Sequence, residues 1–387
     1  MPVAIKGTGG GSVTLSAGTA SADTTLTLPN TTGTVALVDG GGNQTVSGNL
    51  TVNGTSTLTG NVTTAGTVAM ASSFKRNRII NGNMAVAQRA TTATGNYSFS
   101  YTYVSVDRWA IYSANSSTTF GQSTSVPAGF QYSTKMQRPS GSTATGVLLM
   151  GQGIESVNCY DLSSQSVTLS FWAKAGANFS ATGSVIAANV ATGTVADQGI
   201  SGVNTWAGLA TPITTTSLAI TTAWTKYTFT GTFGAGVLEA AIQFSYTPTG
   251  TAGADDAVYI TGVQLEVGTI ATPYERQIYS DQLAQCQRYC QIAPYPFTVP
   301  NYARTTTQVF ANYAYPVTMR AAPTASFTTA NWALVSGGLF LTPSALTADT
   351  SGVQTFQFYA TVASTTVGFG GNTYTTSASG FVLSAEL

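Results

Sequence analysis

The sequence predicts an all-β protein: a thin β shaft near the N-terminus, a central β-sandwich, one short helix and a C-terminal β domain. Three observations lead there. Only 7% of the residues are charged, so polarity comes from Thr, Ser, Asn, Gln and Gly, where an ordinary soluble protein carries about 25% charge. Threonine favours strands, and 41 glycines supply turns. Finally, short runs of alternating apolar residues recur along the chain, and 10% aromatic content argues against disorder.

Bulk properties exclude several functions. Lys plus Arg and Asp plus Glu are both 14, a net charge of zero, so no overall bias toward nucleic acid or an anionic membrane is expected. Low charge gives little colloidal repulsion, which suits residence in a large assembly. The absence of histidine removes His-based acid/base chemistry and His metal sites. Three cysteines, Cys159, Cys286 and Cys290, are too few for a disulfide scaffold. The start "MPVAIKGTGGG" lacks the apolar core of a signal peptide, and no run approaches a membrane span of about 18 apolar residues. Synthesis in a cytoplasm without membrane insertion is the expectation.

Residues 1–45 alternate short strand-like runs ("SVTLSAG", "TTLTLPN", "GTVALVD") with turn clusters, too sparse to enclose a core. Residues 46–74 carry glycines six apart, at Gly48, Gly54, Gly60 and Gly66, with one or two apolar groups per repeat. One chain would leave those groups wet, since an isolated strand or hairpin is marginal. Three chains wound about one axis would bury Leu50, Val52, Leu58, Val62 and Val68. The alternative, a flexible Thr/Gly linker, leaves the regular spacing unexplained. A basic cluster, Lys75, Arg76 and Arg78, follows.

Residues 75–278 read as one sandwich, with strand-like runs broken at intervals by turn signals. In "SVTLSFW", Val167, Leu169 and Phe171 fall on one face. Trp109, Trp172 and Trp224 are the expected core anchors. The connecting helix lies within 279–292: Ser280 caps it, Tyr279, Leu283, Cys286 and Cys290 form one stripe, and "APYPFTVP" stops it. Residues 293–387 read as a β tip.

The runs "RIINGNMAVAQR", "DRW", "LSFWAKA", "WTKYTFT" and "VYITGVQLEVGTIATPYERQ", with "QLAQCQRYCQ" and "YPVTMRAAP" after them, resemble the structural fibre proteins of tailed bacteriophages. So does "GGSVTLSAGTASADTTLTLPNTTGTVALVD" near the start. The resemblance implies a homotrimeric virion fibre. A jelly-roll domain like carbohydrate-binding modules would follow an N-terminal segment docked on other virion proteins, with a tip pointing outward.

Candidate chemistry is sparse. Asp255 and Asp256 precede a strand, and the resemblance makes them candidate ligands of a structural Ca2+; solvated turn carboxylates are the plainer reading. No other cofactor is implied. Asp107 reads as a hydrogen-bond anchor. Glu155 and Glu266 are the carboxylates to examine for glycosidase chemistry, which needs a pair at defined separation; no enzyme is expected. Cys286 and Cys290 read as buried thiols. The C-terminal segment holds Tyr295, Phe297, Tyr302, Tyr313, Tyr315, Trp332, Phe340, Tyr359 and Tyr374. Aromatic faces suit sugar rings, and Asn, Thr and Gln suit hydroxyls. Tyr302, Trp332 and Tyr374 are therefore the candidate glycan contacts, as loop residues, while the Tyr313/Tyr315 face reads as core. The leading expectation is an adsorption fibre that binds a host surface glycan. An architectural head or neck fibre without a receptor site, and a glycan depolymerase, are the alternatives.

Overall fold

A computed structural model describes residues 3–6, 12–15, 75–377 and 380–387. The shaft assignment, with Leu50, Val52, Leu58, Val62 and Val68, lies outside the described residues, as does most of 1–45. The chain separates into two compact units, Met1–Ala69 and Met70–Leu387. In the first, Val3–Lys6 pairs antiparallel with Ser12–Leu15.

The second unit contains a jelly-roll-like sandwich. One sheet has five strands in the order Ala210–Ala219, Val185–Gly193, Glu239–Tyr246, Leu148–Ile154 and Ala110–Ser113. The other has six: Thr225–Thr232, Ser166–Ala175, Ala257–Val267, Ser133–Gln137, Ser117–Ser123 and Thr92–Asn96. Alternation explains the core. Val167, Leu169 and Phe171 are fully buried and meet Ile242 and Phe244 of the five-stranded sheet, and the Phe171 and Phe244 rings meet edge to face at 4.7 Å.

The same alternation corrects the tryptophan assignment. Trp109 is fully buried, and its Nε1 donates to the Asn81 carbonyl at 3.1 Å. Trp172, between inward Phe171 and Ala173, must point outward; it and Trp224 are only half-buried, on the outer side of the six-stranded sheet. Trp206 and Trp332 are the further buried tryptophans. A bulge between Thr261 and Gln264 includes Gly262 at φ +61°, where an added Cβ would strike Phe130 at 2.7 Å and Trp172 at 3.1 Å.

The helix spans Tyr279–Gln287, with Ile278 at its N-cap and no side-chain cap. Ser280 therefore lies inside the first turn. Tyr279, expected on the buried stripe, is exposed, whereas Cys286 is buried. Cys290 is not helical: it opens strand Cys290–Ile292 and pairs with Ser384. Strand pairing ends the helix before the prolines do.

The tip has a three-stranded sheet, Cys290–Ile292, Phe381–Ser384 and Thr324–Phe327. Its larger sheet has seven strands in the order Leu339–Leu341, Trp332–Ser336, Gly370–Thr375, Thr298–Ala303, Gln308–Ala314, Thr355–Thr361 and Ala345–Ser351. Val299, Trp332, Phe356, Phe358, Phe381 and Leu383 form its core, and Tyr313 and Tyr315 pack against it as expected.

A buried polar clasp joins tip and sandwich. Glu386 of the tip reaches Arg108 in the sandwich, and accepts from Arg89 at 3.2 Å. Arg108 is fully buried, donates to the Gly153 carbonyl at 2.7 Å, and lies 3.6 Å from the Tyr289 ring centroid. Glu155 accepts from Arg288 at 2.5 and 2.9 Å and from the Tyr289 hydroxyl at 2.7 Å. Arg320 donates to the carbonyls of Ala385 and Glu386 at 2.8 and 3.1 Å. Nearby, Glu239 is buried, with Oε2 accepting from the Gln198 amide and Oε1 without a partner. Burial pushes its carboxyl up to about 8.

Candidate functional site

The tip's seven-stranded sheet has one face on the core and one outward. Strand Thr298–Ala303 shows why: Val299, Asn301 and Ala303 are buried, while Thr298, Pro300 and Tyr302 are exposed. Register then determines what shares the outer face. Tyr302 lies opposite Phe310, and Phe310 opposite Tyr359. Their rings run nearly parallel across three strands, with centroids 5.9 and 5.1 Å apart and interplanar angles of 28° and 30°. The Arg304 guanidinium lies 5.1 Å from the Phe310 centroid. Phe310 is buried although it faces outward, because Tyr302, Tyr359 and Arg304 enclose it. Tyr302 remains 41% exposed.

Amides flank this ladder. Asn312 pairs with Gln357 in register, and Gln357 Nε2 donates to Asn312 Oδ1 at 2.8 Å. Asn372 is exposed, two residues from Tyr374 on the neighbouring strand. Tyr374 pairs with Thr298, so it shares the Tyr302 face four residues along. Phe340, opposite Val335 on the edge strand, is 82% exposed. The result is an aromatic and amide surface with Arg304 beside it and exposed Asp349 in the bulge of the adjoining edge strand. Rings offer apolar faces to sugar C–H groups, and amides both donate to and accept from hydroxyls.

Tyr302 and Tyr374 thus share a surface, though both stand on strands rather than loops. Trp332 does not join them. It is 2% exposed, packs on Phe358 and Phe381, and donates from Nε1 to the Gly380 carbonyl at 2.6 Å. Inward register and a satisfied indole N–H make it a core residue. Phe310, Asn312, Gln357 and Asn372 were not singled out by the sequence. "QVFANYA" puts Val309, Ala311 and Tyr313 on one face, which leaves Phe310 outward, but its partners follow only from strand pairing.

The acidic candidates have other partners. Asp256 is buried, pairs with Arg138 Nε at 2.7 Å, and accepts from the Ser180 amide and hydroxyl, each at 2.9 Å. Asp255 accepts from the Ala177 amide at 3.0 Å and the Tyr259 hydroxyl at 2.7 Å. The Arg138 guanidinium is thus the cation beside Asp256. Among the described residues no group of three or more acidic or cysteine side chains is placed to hold a metal. Glu266 accepts from Gln264 and Thr272 at 2.7–2.8 Å, and Glu155 serves the clasp, so these two act in separate structural networks. Asp107 is a buried anchor, accepting from the Gln88 amide at 2.9 Å; burial pushes it up to about 6. Cys159, Cys286 and Cys290 are buried free thiols, and burial pushes Cys159 up to about 12.

No protein-family model matches the chain, and no curated protein sequence matches it. Among solved structures, the chain is similar to the enzymatically active domain of tailspike protein 4 of bacteriophage CBA120. Identity is 15% and the TM-score 0.31, with 50% of this chain and 21% of that chain covered. The chain thus spans about a fifth of that tailspike structure. It is also similar to a carbohydrate-binding module described as CBM4, with 16% identity, TM-score 0.27, and 49% and 98% covered. A third is the CBM22-1 xylan-binding domain of Paenibacillus barcinonensis Xyn10C, with 10% identity, TM-score 0.27, and 48% and 100% covered.

Proposed function

We propose that this chain is a non-enzymatic, homotrimeric fibre of a tailed-phage virion that adsorbs to its host by binding a surface glycan at the outer face of the tip sheet. The observation that carries the glycan reading is the Tyr302–Phe310–Tyr359 ladder bordered by Asn312, Gln357, Asn372 and Tyr374. The family resemblance of the sequence motifs supports the virion assignment. Three copies of one tip would raise a weak single-site affinity through effective concentration.

The test is an array of bacterial surface polysaccharides probed with the full chain and with a Tyr302→Ala/Tyr359→Ala variant. Removing the two flanking rings lowers affinity for the bound glycan by about tenfold, the scale of lost aromatic contacts. Equal binding by the variant removes the tip face from the reading. Binding to no polysaccharide leaves the architectural alternative.

A further inference from the structure

A chain of zero net charge still segregates its charges. Of its five lysines, Lys135, Lys174 and Lys226 stand on three strands of the six-stranded sheet. Register brings them onto one face. Tyr259 is the partner of Lys135 on one side and of Lys174 on the other. Trp172, two residues from Lys174, is the partner of Lys226 and of Thr261. This face is the outer one, because the intervening Phe171 and Ala173 are buried in the core.

Aromatic rings interleave the cations. Lys174 Nζ lies 4.8 Å from the Tyr259 centroid and 5.8 Å from that of Trp224. Arg276 stands 5.0 Å from the Phe130 ring, which borders Gly262 together with Trp172. Lys226 is exposed and donates to the Thr272 carbonyl at 3.2 Å. None of Lys135, Lys174, Lys226 and Arg276 is ion-paired within 4.0 Å among the described residues, whereas Arg78, Arg89, Arg108, Arg138, Arg288 and Arg320 all are. Asp255, beside Tyr259, is engaged by the Tyr259 hydroxyl and the Ala177 amide. Glu266, farther along the same strand, is engaged by Gln264 and Thr272.

We infer that this face of the sandwich is a second binding site, separate from the tip, for a polysaccharide carrying anionic sugars. The chemistry needs both parts. Half-buried Trp172 and Trp224 offer apolar ring surface to pyranose C–H groups, and lysines with no carboxylate partner meet the sugar carboxylates as point charges. The row Lys135–Tyr259–Lys174 continues toward Trp224 over about 14 Å, three strand spacings of about 4.8 Å, long enough for several consecutive sugars. A single-stranded nucleic acid is the competing polyanion, and a stacked base would use the same rings. Trp172 and Trp224 are both half-buried, so part of each ring is covered, and base stacking, which uses a whole ring face, is the poorer match.

The test uses the full chain and polygalacturonate as the probe, with dextran as the neutral control, in affinity electrophoresis. The expected result is retardation by polygalacturonate that weakens as salt rises, and none of comparable strength by dextran. The K135Q/K174Q/K226Q variant binds about tenfold or more weakly, and the matching Lys→Arg triple restores binding. Should the glutamine triple fail to fold, Lys135→Gln and Lys226→Gln alone each weaken retardation. The inference is overturned if the wild-type chain is not retarded by polygalacturonate, if the glutamine variants match it, or if single-stranded oligothymidylate binds more tightly. The tip is tested on another sheet with other substitutions, so the two results stand independently.

Discussion

Glu239 shows how one buried carboxyl ties stability to pH. Burial raises it from 4.5 to about 8, with Asp197 adding to the rise and the Gln198 amide and Arg320 opposing it. Between those values the folded chain holds a proton that the unfolded chain releases. Stability is therefore fully present below the unfolded value and falls as pH rises toward 8. Asp107, pushed up to about 6 by burial, acts in the same direction over a lower window. Glu239→Gln removes only the upper part. The variant is expected to gain about 1–3 kcal/mol relative to wild type at pH 8.5 but not at pH 5, read as the pH dependence of the Tm difference. An unchanged difference across that range means that Glu239 is ionised in the fold. At this scale the sequence was partly legible. It marked Asp107, next to Arg108 and Trp109, as a hydrogen-bond anchor, and Cys286 and Cys290, with no further Cys or His nearby, as buried thiols. It did not mark Glu239, because its surroundings come from Cys159, Asp197 and Arg320, which are distant in the chain.

Elements were most legible where alternation was strict. The inward set of Ser166–Ala175 could be read directly, and so, by the same rule, could outward Trp172. Size misled there: a tryptophan is not core merely because it is large. Tyr302 and Tyr374 proved to share a face, while Trp332 stands on the opposite one, and only pairing register separates them. The helix misled for another reason. Its stripe continued to Cys290 in the sequence, but pairing of Cys290 with Ser384 took that residue into a strand. The last of these connections leads to the clasp. Glu386→Ala leaves Arg108 fully buried without its carboxylate, and removing one partner of a buried pair costs about 3–5 kcal/mol. The expected outcome is a lower denaturant midpoint, while Arg108→Met with Glu386→Leu recovers much of the loss. A midpoint unchanged in Glu386→Ala shows that the clasp is dispensable.

For the whole molecule, zero net charge told less than the distribution of charge. Six arginines are committed to ion pairs, and three of the five lysines gather on one sheet. Composition carried the all-β class, because abundant threonine and glycine constrain backbone geometry everywhere at once. It carried no information about which faces meet. The trimeric reading rests on the hexad repeat of 46–74, where each chain has too few apolar groups to shelter alone. Light scattering of the full chain is expected to give about three times the chain mass of 39.7 kDa. Replacing Leu58 and Val62 by aspartate is expected to shift the species toward monomer. A wild-type monomer would remove the shaft reading.

Arg108 and its partner Glu386 are 278 positions apart. During synthesis, the guanidinium leaves the ribosome long before its counter-charge exists. Until then the nascent sandwich must either stay open at that corner or keep water beside the arginine. Such a long-range closure slows folding. Fragments that stop short of residue 386 inherit the same defect permanently, so a sandwich expressed without the tip is expected to be less stable than its own core would suggest.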